Sequence, residues 1–398
     1  MVDKPAILGN TPIFPEKLPV VRPTVPTFQS ISLQVKEILS TGLITKGKYL
    51  KEFEERLANY LGVRHAVCVS SCTLGLMLTL QGLGLKGEVI IPSFTFMASV
   101  HPLVWLGITP VFVDIDPQTW NIDPLKVEEA VTPRTSGIVA VHNFGNPADV
   151  KELEEIAQRY GLKLVFDAAH GFGSLYQGSP VGRFGDAEVF SMSPTKLLVA
   201  GEGGVVATND AALAEHIRQG REYGNDGHYG SDFAGLNARM PEFNAILGLK
   251  SLEMLEENVK RRNRLVELFR ERLERLPGVT FQTVRPGNRS SFKDLSVVID
   301  ERQFGLTRDQ LAKALEAENI ETRRYHDPPV HLHRTYGHLR SRFRNRLGIT
   351  EWVAPRSLTL PLYSHMDEST VDGICSAMER IHFYASDVGK VIAREGGT

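Results

Sequence analysis

The chain has 398 residues, of which 42% are hydrophobic and 23% charged, with a formal net charge of −2. That length exceeds what one hydrophobic core usually serves, so two domains are expected, and the balanced charge argues against a polyanion-binding surface such as one for DNA. Three cysteines, Cys68, Cys72 and Cys375, show no metal-ligand spacing and cannot all pair; this suits a reducing cytoplasm, and no metal site is expected. The proline-rich N-terminus lacks the apolar core of a signal peptide, and no apolar run reaches the roughly 18 residues of a membrane span, so a cytoplasmic protein is expected.

In chain order, seven short apolar runs read as strands: residues 65–70, 88–93, 109–115, 137–143, 163–169, 188–193 and 203–209. Helix candidates Thr73–Leu83, Met97–Leu106, Pro124–Ala130 and Asp149–Tyr160 lie between the earlier ones. Near-continuous apolar strands separated by helices predict an α/β domain with a mostly parallel seven-stranded sheet covered by helices. The last two strands follow one another with little helix between, so some mixed pairing is expected there. Residues 242–276 read as a long charged connector helix. Beyond it, residues 279–284, 292–300 and 319–325 read as strands, with helices near 307–318 and 368–385. This predicts a smaller α+β C-terminal domain packed with the N-terminal segment. The division falls between residues 1–250 and 251–398.

In such a sheet, ligands sit beyond the carboxyl ends of the strands, and four special segments collect there. Ser70–Gly75 follows the first strand and opens a helix, which suits a phosphate at a helix N-terminus; Ser and Thr there are also ordinary N-caps. Asp167 closes an apolar strand, and a buried carboxylate needs a partner such as a protonated pyridine nitrogen; capping the next turn is the plainer alternative. His170, three residues on, either touches the same ring or fills a polar pocket. Lys196 follows a buried strand in a turn dense with small residues, a setting that desolvates an amine and favours Schiff-base chemistry. Phe96 follows the second strand and either stacks on a flat ring or joins the core.

The segments SSCTLG, PSFTF, TPVFVDID, FDAAHGFGS, GRFGDAEVFSMSPTKLLVAGEGG and GLNARMPEFNAILG, in that order, resemble the DegT-type (DegT/DnrJ/StrS) nucleotide-sugar aminotransferases over nearly the whole chain. The resemblance implies the fold type I architecture of pyridoxal-phosphate (PLP) transferases and a homodimer with active sites at the subunit interface. It implies that Lys196 is the Schiff-base lysine, that Asp167 faces the pyridine nitrogen, that His170 lies near the ring and that Phe96 stacks on it. Cys72 and Thr73 match a Gly-Thr pair that cradles the phosphate, Cys72 departing from the usual glycine; Ser191 matches a hydroxyl on that phosphate. Asn237 matches an asparagine that reaches the phosphate from the other subunit.

The implied reaction moves an amino group from L-glutamate to a nucleotide-linked keto sugar. Dehydrating relatives carry histidine where this chain has Lys196. Residues 319–331 and 360–366 look most like members that aminate C4 of dTDP-4-keto-6-deoxyglucose, and Arg324, Tyr325, His326 and His331 are candidates for the sugar or diphosphate pocket; a solvated strand and turn is the alternative. Thr45 and Lys46 fall at a family segment near the active site. A C3-acting or GDP-sugar aminotransferase, a PLP-dependent sugar dehydratase and a non-catalytic regulatory homologue remain as other readings.

Overall fold

The structure, a computed structural model, describes residues 3–339, 343 and 346–395. Its main sheet contains β1 (His65–Val69), β2 (Glu88–Pro92), β3 (Thr109–Val113), β4 (Thr135–Val141) and β5 (Lys163–Asp167); a small hairpin, β6 (Leu175–Tyr176) and β7 (Ser179–Pro180), precedes β8 (Ala187–Ser191) and β9 (Gly204–Thr208). The order is β1-β9-β8-β5-β4-β2-β3. From β3 to β8 every neighbour is parallel, whereas β9 runs antiparallel to both β8 and β1. All seven expected strands are present, and the mixed pairing falls at the last two.

Burial on both faces explains why these strands lack alternation: β2, β8 and β9 are buried at every position. On one face α3 (Cys72–Gly82) and α7 (Ala211–Gly220) cover Val69, Val165, Val189 and Val206. On the other, α5 (Pro124–Glu129) contributes Val127, and α6 (Val150–Tyr160) presents Val150, Leu153, Ile156 and Ala157 at helical spacing and stops at Gly161, whose φ of 64° suits glycine. The single helix expected over 97–106 is instead a 3-10 turn, Met97–Ser99, followed by α4 (His101–Trp105), with Pro102 in the first turn of the second piece.

Two N-terminal helices that the periodicity reading did not name, α1 (Phe28–Thr41) and α2 (Lys48–Leu61), lie against α8 (Glu242–Leu273). The buried Glu242 carboxylate, at the start of α8, accepts from the backbone N–H groups of Gly47, Tyr49 and Leu50 at 2.9, 3.0 and 3.1 Å. It therefore caps α2 from another helix and places its negative charge at that helix's positive end. A Cβ at Gly47 would stand 2.6 Å from this carboxylate, so the close approach requires glycine.

The 32 residues of α8 span about 48 Å at 1.5 Å per residue. Its N-terminal part, including Ala245, Leu249, Leu255 and Val259, packs on the large sheet domain, and its C-terminal part, including Leu265, Phe269 and Leu273, joins the C-terminal core. The expected division after residue 250 falls inside this helix. The C-terminal core is built on β10 (Val279–Phe281), β11 (Leu295–Ile299) and β12 (Ser357–Leu360), an antiparallel sheet with β11 at its centre.

One expected strand is corrected. Residues 319–325 make only isolated bridges, Leu18 with Ile320 and Arg323 with Thr359, because Asn319 takes a positive φ of 62° and the charged run Glu321–Arg324 lies at the sheet edge. The third strand is Ser357–Leu360. The N-terminal segment packs here as expected, through Ile7, Leu8, Ile13 and Phe14, with the Glu318 carboxylate accepting from the N–H groups of Ala6 and Ile13. No helix among the described residues is long and apolar enough to cross a membrane.

Candidate active site

The carboxyl ends of β1, β2, β4, β5 and β8 open into one cleft of about 350 Å³. Of the residues singled out from the sequence, it brings together Cys72, Thr73, Phe96, Asp167, His170, Ser191, Lys196, Tyr325 and His326. Asn237, Thr45, Lys46, Arg324 and His331 are not among its lining residues.

Asp167 is the last residue of β5 and is buried. Its Oδ2 accepts from Ser99 Oγ at 2.6 Å and its Oδ1 from the N–H of Ala169 at 3.0 Å; Ser99 in turn contacts Thr95 Oγ1 at 2.9 Å. Burial pushes this carboxyl up, and the Ser99 and Ala169 donors, with the Lys196 charge, oppose it. The site is thus suited to an anion that meets a cation inside the cleft.

Lys196 lies in the turn between β8 and β9, and the part of it that remains accessible faces the cleft. Burial, then the neighbouring Lys293 charge, pulls its amine down to about 8. A neutral amine is thereby accessible near physiological pH, as nucleophilic and proton-transfer chemistry requires.

The imidazole of His170 accepts at Nδ1 from the Phe144 N–H at 3.2 Å, which leaves the proton of the neutral ring on Nε2. Burial holds this group well below the usual histidine range. Phe144 stacks between His170 and His326, at centroid distances of 6.4 and 5.4 Å and interplanar angles of 15° and 7°. Burial likewise pushes His326 down to about 3.

At the other end of the cleft, Ser71 caps α3 by accepting from Leu74 N–H, and the first-turn N–H groups of Cys72 and Thr73 have no intrahelical acceptor. Ser191 and Ser193 add hydroxyls. Gly204 on β9 presses against this turn: a Cβ there would stand 2.5 Å from the Cys72 nitrogen. Phe96, 53% exposed, stands at the rim.

The absent candidates have definite places. Asn237 is exposed and bridges Glu222, which pairs with Lys46, while Thr45 bridges Pro241; these three residues therefore gather on one surface outside the cleft. Arg324 is exposed and pairs with Asp309 at 3.2 Å. His331 is a buried linker, contacting Ser93 Oγ at 2.6 Å and Glu351 at 3.2 Å.

Two lining groups escaped sequence reasoning. Ser99 falls in the helix expected over 97–106, and Thr95 lies in the PSFTF segment, where only Phe96 has an expected role. Lys293 and Asp294 read as the beginning of a strand; a Lys-Asp pair opening an otherwise apolar run was the only available signal.

Comparison with known proteins gives the family. The model of the DegT/DnrJ/EryC1/StrS aminotransferase family matches residues 28–379. The chain is 36% identical to the GDP-perosamine synthase of Caulobacter vibrioides, over 86% of this chain and 92% of that one. It is 34% identical to the dTDP-4-amino-4,6-dideoxy-D-glucose transaminase of Escherichia coli, over 89% and 96%. The structure of DesI in the presence of its TDP-sugar product superposes with a TM-score of 0.89 at 38% identity, covering 99% of this chain and all of the other. The chain belongs to the DegT/DnrJ/EryC1/StrS family of PLP-dependent sugar aminotransferases.

Proposed function

We propose that the enzyme transfers the amino group of L-glutamate to C4 of dTDP-4-keto-6-deoxyglucose, giving dTDP-4-amino-4,6-dideoxyglucose. The observation that carries the chemistry is the meeting of Lys196, Asp167 and His170 in one cleft with an open helix N-terminus. The substrate rests on the 34% identity to the E. coli dTDP-sugar transaminase and the fold shared with DesI.

The residues present fit PLP. Asp167 would face its ring nitrogen, Lys196 its aldehyde, and the Cys72–Thr73 turn with Ser191 its phosphate, where Gly204 leaves no room for a larger side chain. When bound, PLP supplies a carbonyl that captures amines and a cationic ring that withdraws electrons from the adjoining carbon. Asp167 would favour the cationic form of that ring, because the buried carboxylate gains from a counter-charge. His170, its orientation fixed by the Phe144 N–H at Nδ1, would offer its Nε2 proton to the ring. Lys196 Nζ, as a neutral amine, would remove the proton from the donor's α-carbon. In the second half of the cycle it returns a proton to the sugar carbon that receives nitrogen. Phe96 would cover one face of the ring and Tyr325 and His326 line the sugar side.

We further propose a homodimer in which Asn237, Thr45 and Lys46 serve the partner's site, since all three gather on one surface outside their own cleft. Mixing inactive Lys196→Ala and Asn237→Ala chains, dissociated and reassembled, should restore about a quarter of native activity, because half of the dimers then hold one intact site. Additive inactivity of the mixture would contradict shared sites.

The 36% identity to a GDP-perosamine synthase favours a GDP-linked keto sugar as the second reading. Incubation with L-glutamate and each of the two keto sugars, read by mass, decides: the proposal expects a dTDP-amino sugar, and a dehydrated product without nitrogen would refute transamination.

The lowered Lys196 amine has its own consequence. Capture of PLP by the apoenzyme requires the neutral amine, so its rate should climb with pH and level off above about 8. An ordinary lysine would keep gaining rate to about 10.4. Stopped-flow absorbance distinguishes the two profiles.

A further inference from the structure

We infer that the buried Lys293–Asp294 pair reads the hydroxyl next to the ketone of the sugar substrate, and so sets which sugars are accepted. The inference rests on the sugar-aminotransferase reading above and assigns a specificity-determining site within the same cleft.

Lys293 Nζ stands 2.8 and 2.9 Å from the two oxygens of Asp294, and both side chains are buried while still lining the cleft beside Tyr325. The Lys293 ammonium lies 5.7 Å from the Tyr325 ring centroid. Considerable structure is committed to holding this pair. Phe292, immediately before it, takes a φ of 45°, a strained value for a bulky residue. Lys293 N–H donates to the Phe144 carbonyl at 2.9 Å, and Ser291 Oγ donates to the His170 carbonyl at 2.8 Å, so the turn is pinned to the loops that carry the ring-facing residues. From α8, the buried Arg262 donates to the carbonyls of Phe292 and Lys293 at 2.9 and 2.8 Å and to Ser364 at 3.0 Å. A buried ion pair contributes little to stability over apolar residues of the same size, so this investment points to a ligand.

The hydrogen-bonding capacity of the pair says which ligand. Lys293 has three N–H donors and Asp294 has lone pairs beyond those facing Nζ, and among the described residues neither makes a side-chain hydrogen bond outside the pair. The pair is neutral overall and presents a donor beside an acceptor. A hydroxyl, which donates and accepts at one oxygen, satisfies both; a carboxylate would gain from Nζ and be repelled by Asp294. The pair therefore suits the sugar better than the glutamate donor. Lys293, Asp294 and Lys196 line the same cleft, so a hydroxyl held by the pair would lie toward the reacting carbon.

The test separates the two half-reactions of the holoenzyme in single turnovers: donor conversion followed by cofactor absorbance, and sugar amination by product mass. In Lys293→Met and Asp294→Asn the sugar half-reaction should fall about tenfold to a hundredfold further than the glutamate half-reaction, the range expected for an unsatisfied buried polar group. Equal losses in both halves, or none in either, would overturn the inference. Wild-type enzyme supplies an arm independent of folding: an analogue lacking the hydroxyl next to the ketone should react about tenfold or more slowly, and Lys293→Met should no longer distinguish it from the parent sugar. Equal wild-type rates for analogue and parent would also overturn it. If the wild-type holoenzyme converts glutamate but aminates no keto sugar, the functional reading falls and the inference with it.

Discussion

Removing Lys196 and Asp167 from water in a common cleft is the constraint on which the rest depends. Alone, each is a costly group to bury, and burial drives the amine down and the carboxyl up, both toward neutrality. The chain does not let Asp167 neutralise freely: Ser99 and the Ala169 N–H hold its anionic form, with Thr95 behind Ser99. A cofactor carrying a cationic ring nitrogen and an aldehyde answers both demands together. The parallel sheet makes this possible by ending β5 and β8 side by side, so that groups well separated in sequence reach one opening.

The C-terminal domain completes the cleft rather than merely flanking it. Its lining residues arrive on two segments, residues 293–294 and 325–326, both tied to the large domain through Phe144. Phe144 itself has a φ of 59° and precedes Gly145 at 90°, a sharp turn that lets its N–H reach His170 and its ring stand between two histidines. Because α8 runs through both cores and Glu242 caps α2, the position of this domain is set by continuous helix and buried hydrogen bonds.

Much of the fold was legible because its main strands are buried on both faces and so appear as unbroken apolar runs. Site residues at or just beyond strand ends stood out as polar groups against those runs: Asp167 closes β5, and Lys196 lies in the turn after β8. What the sequence concealed was set by tertiary contact. Residues 319–325 carry strand-forming side chains but meet only isolated partners, and α1 and α2 depend on α8 for their packing. Lys293 and Asp294 are ordinary letters until the turn at Phe292 folds them inward. Arg324 and His331 show the converse: chemically suggestive types held by Asp309, and by Ser93 and Glu351, outside the cleft.

Two lysines line this cleft, and the account assigns the cofactor bond to one of them. Borohydride reduction of the PLP-loaded enzyme followed by peptide mass mapping tests that assignment directly. The account predicts a single pyridoxyl group, on Lys196; its appearance on Lys293, or on no lysine of the cleft, would contradict it.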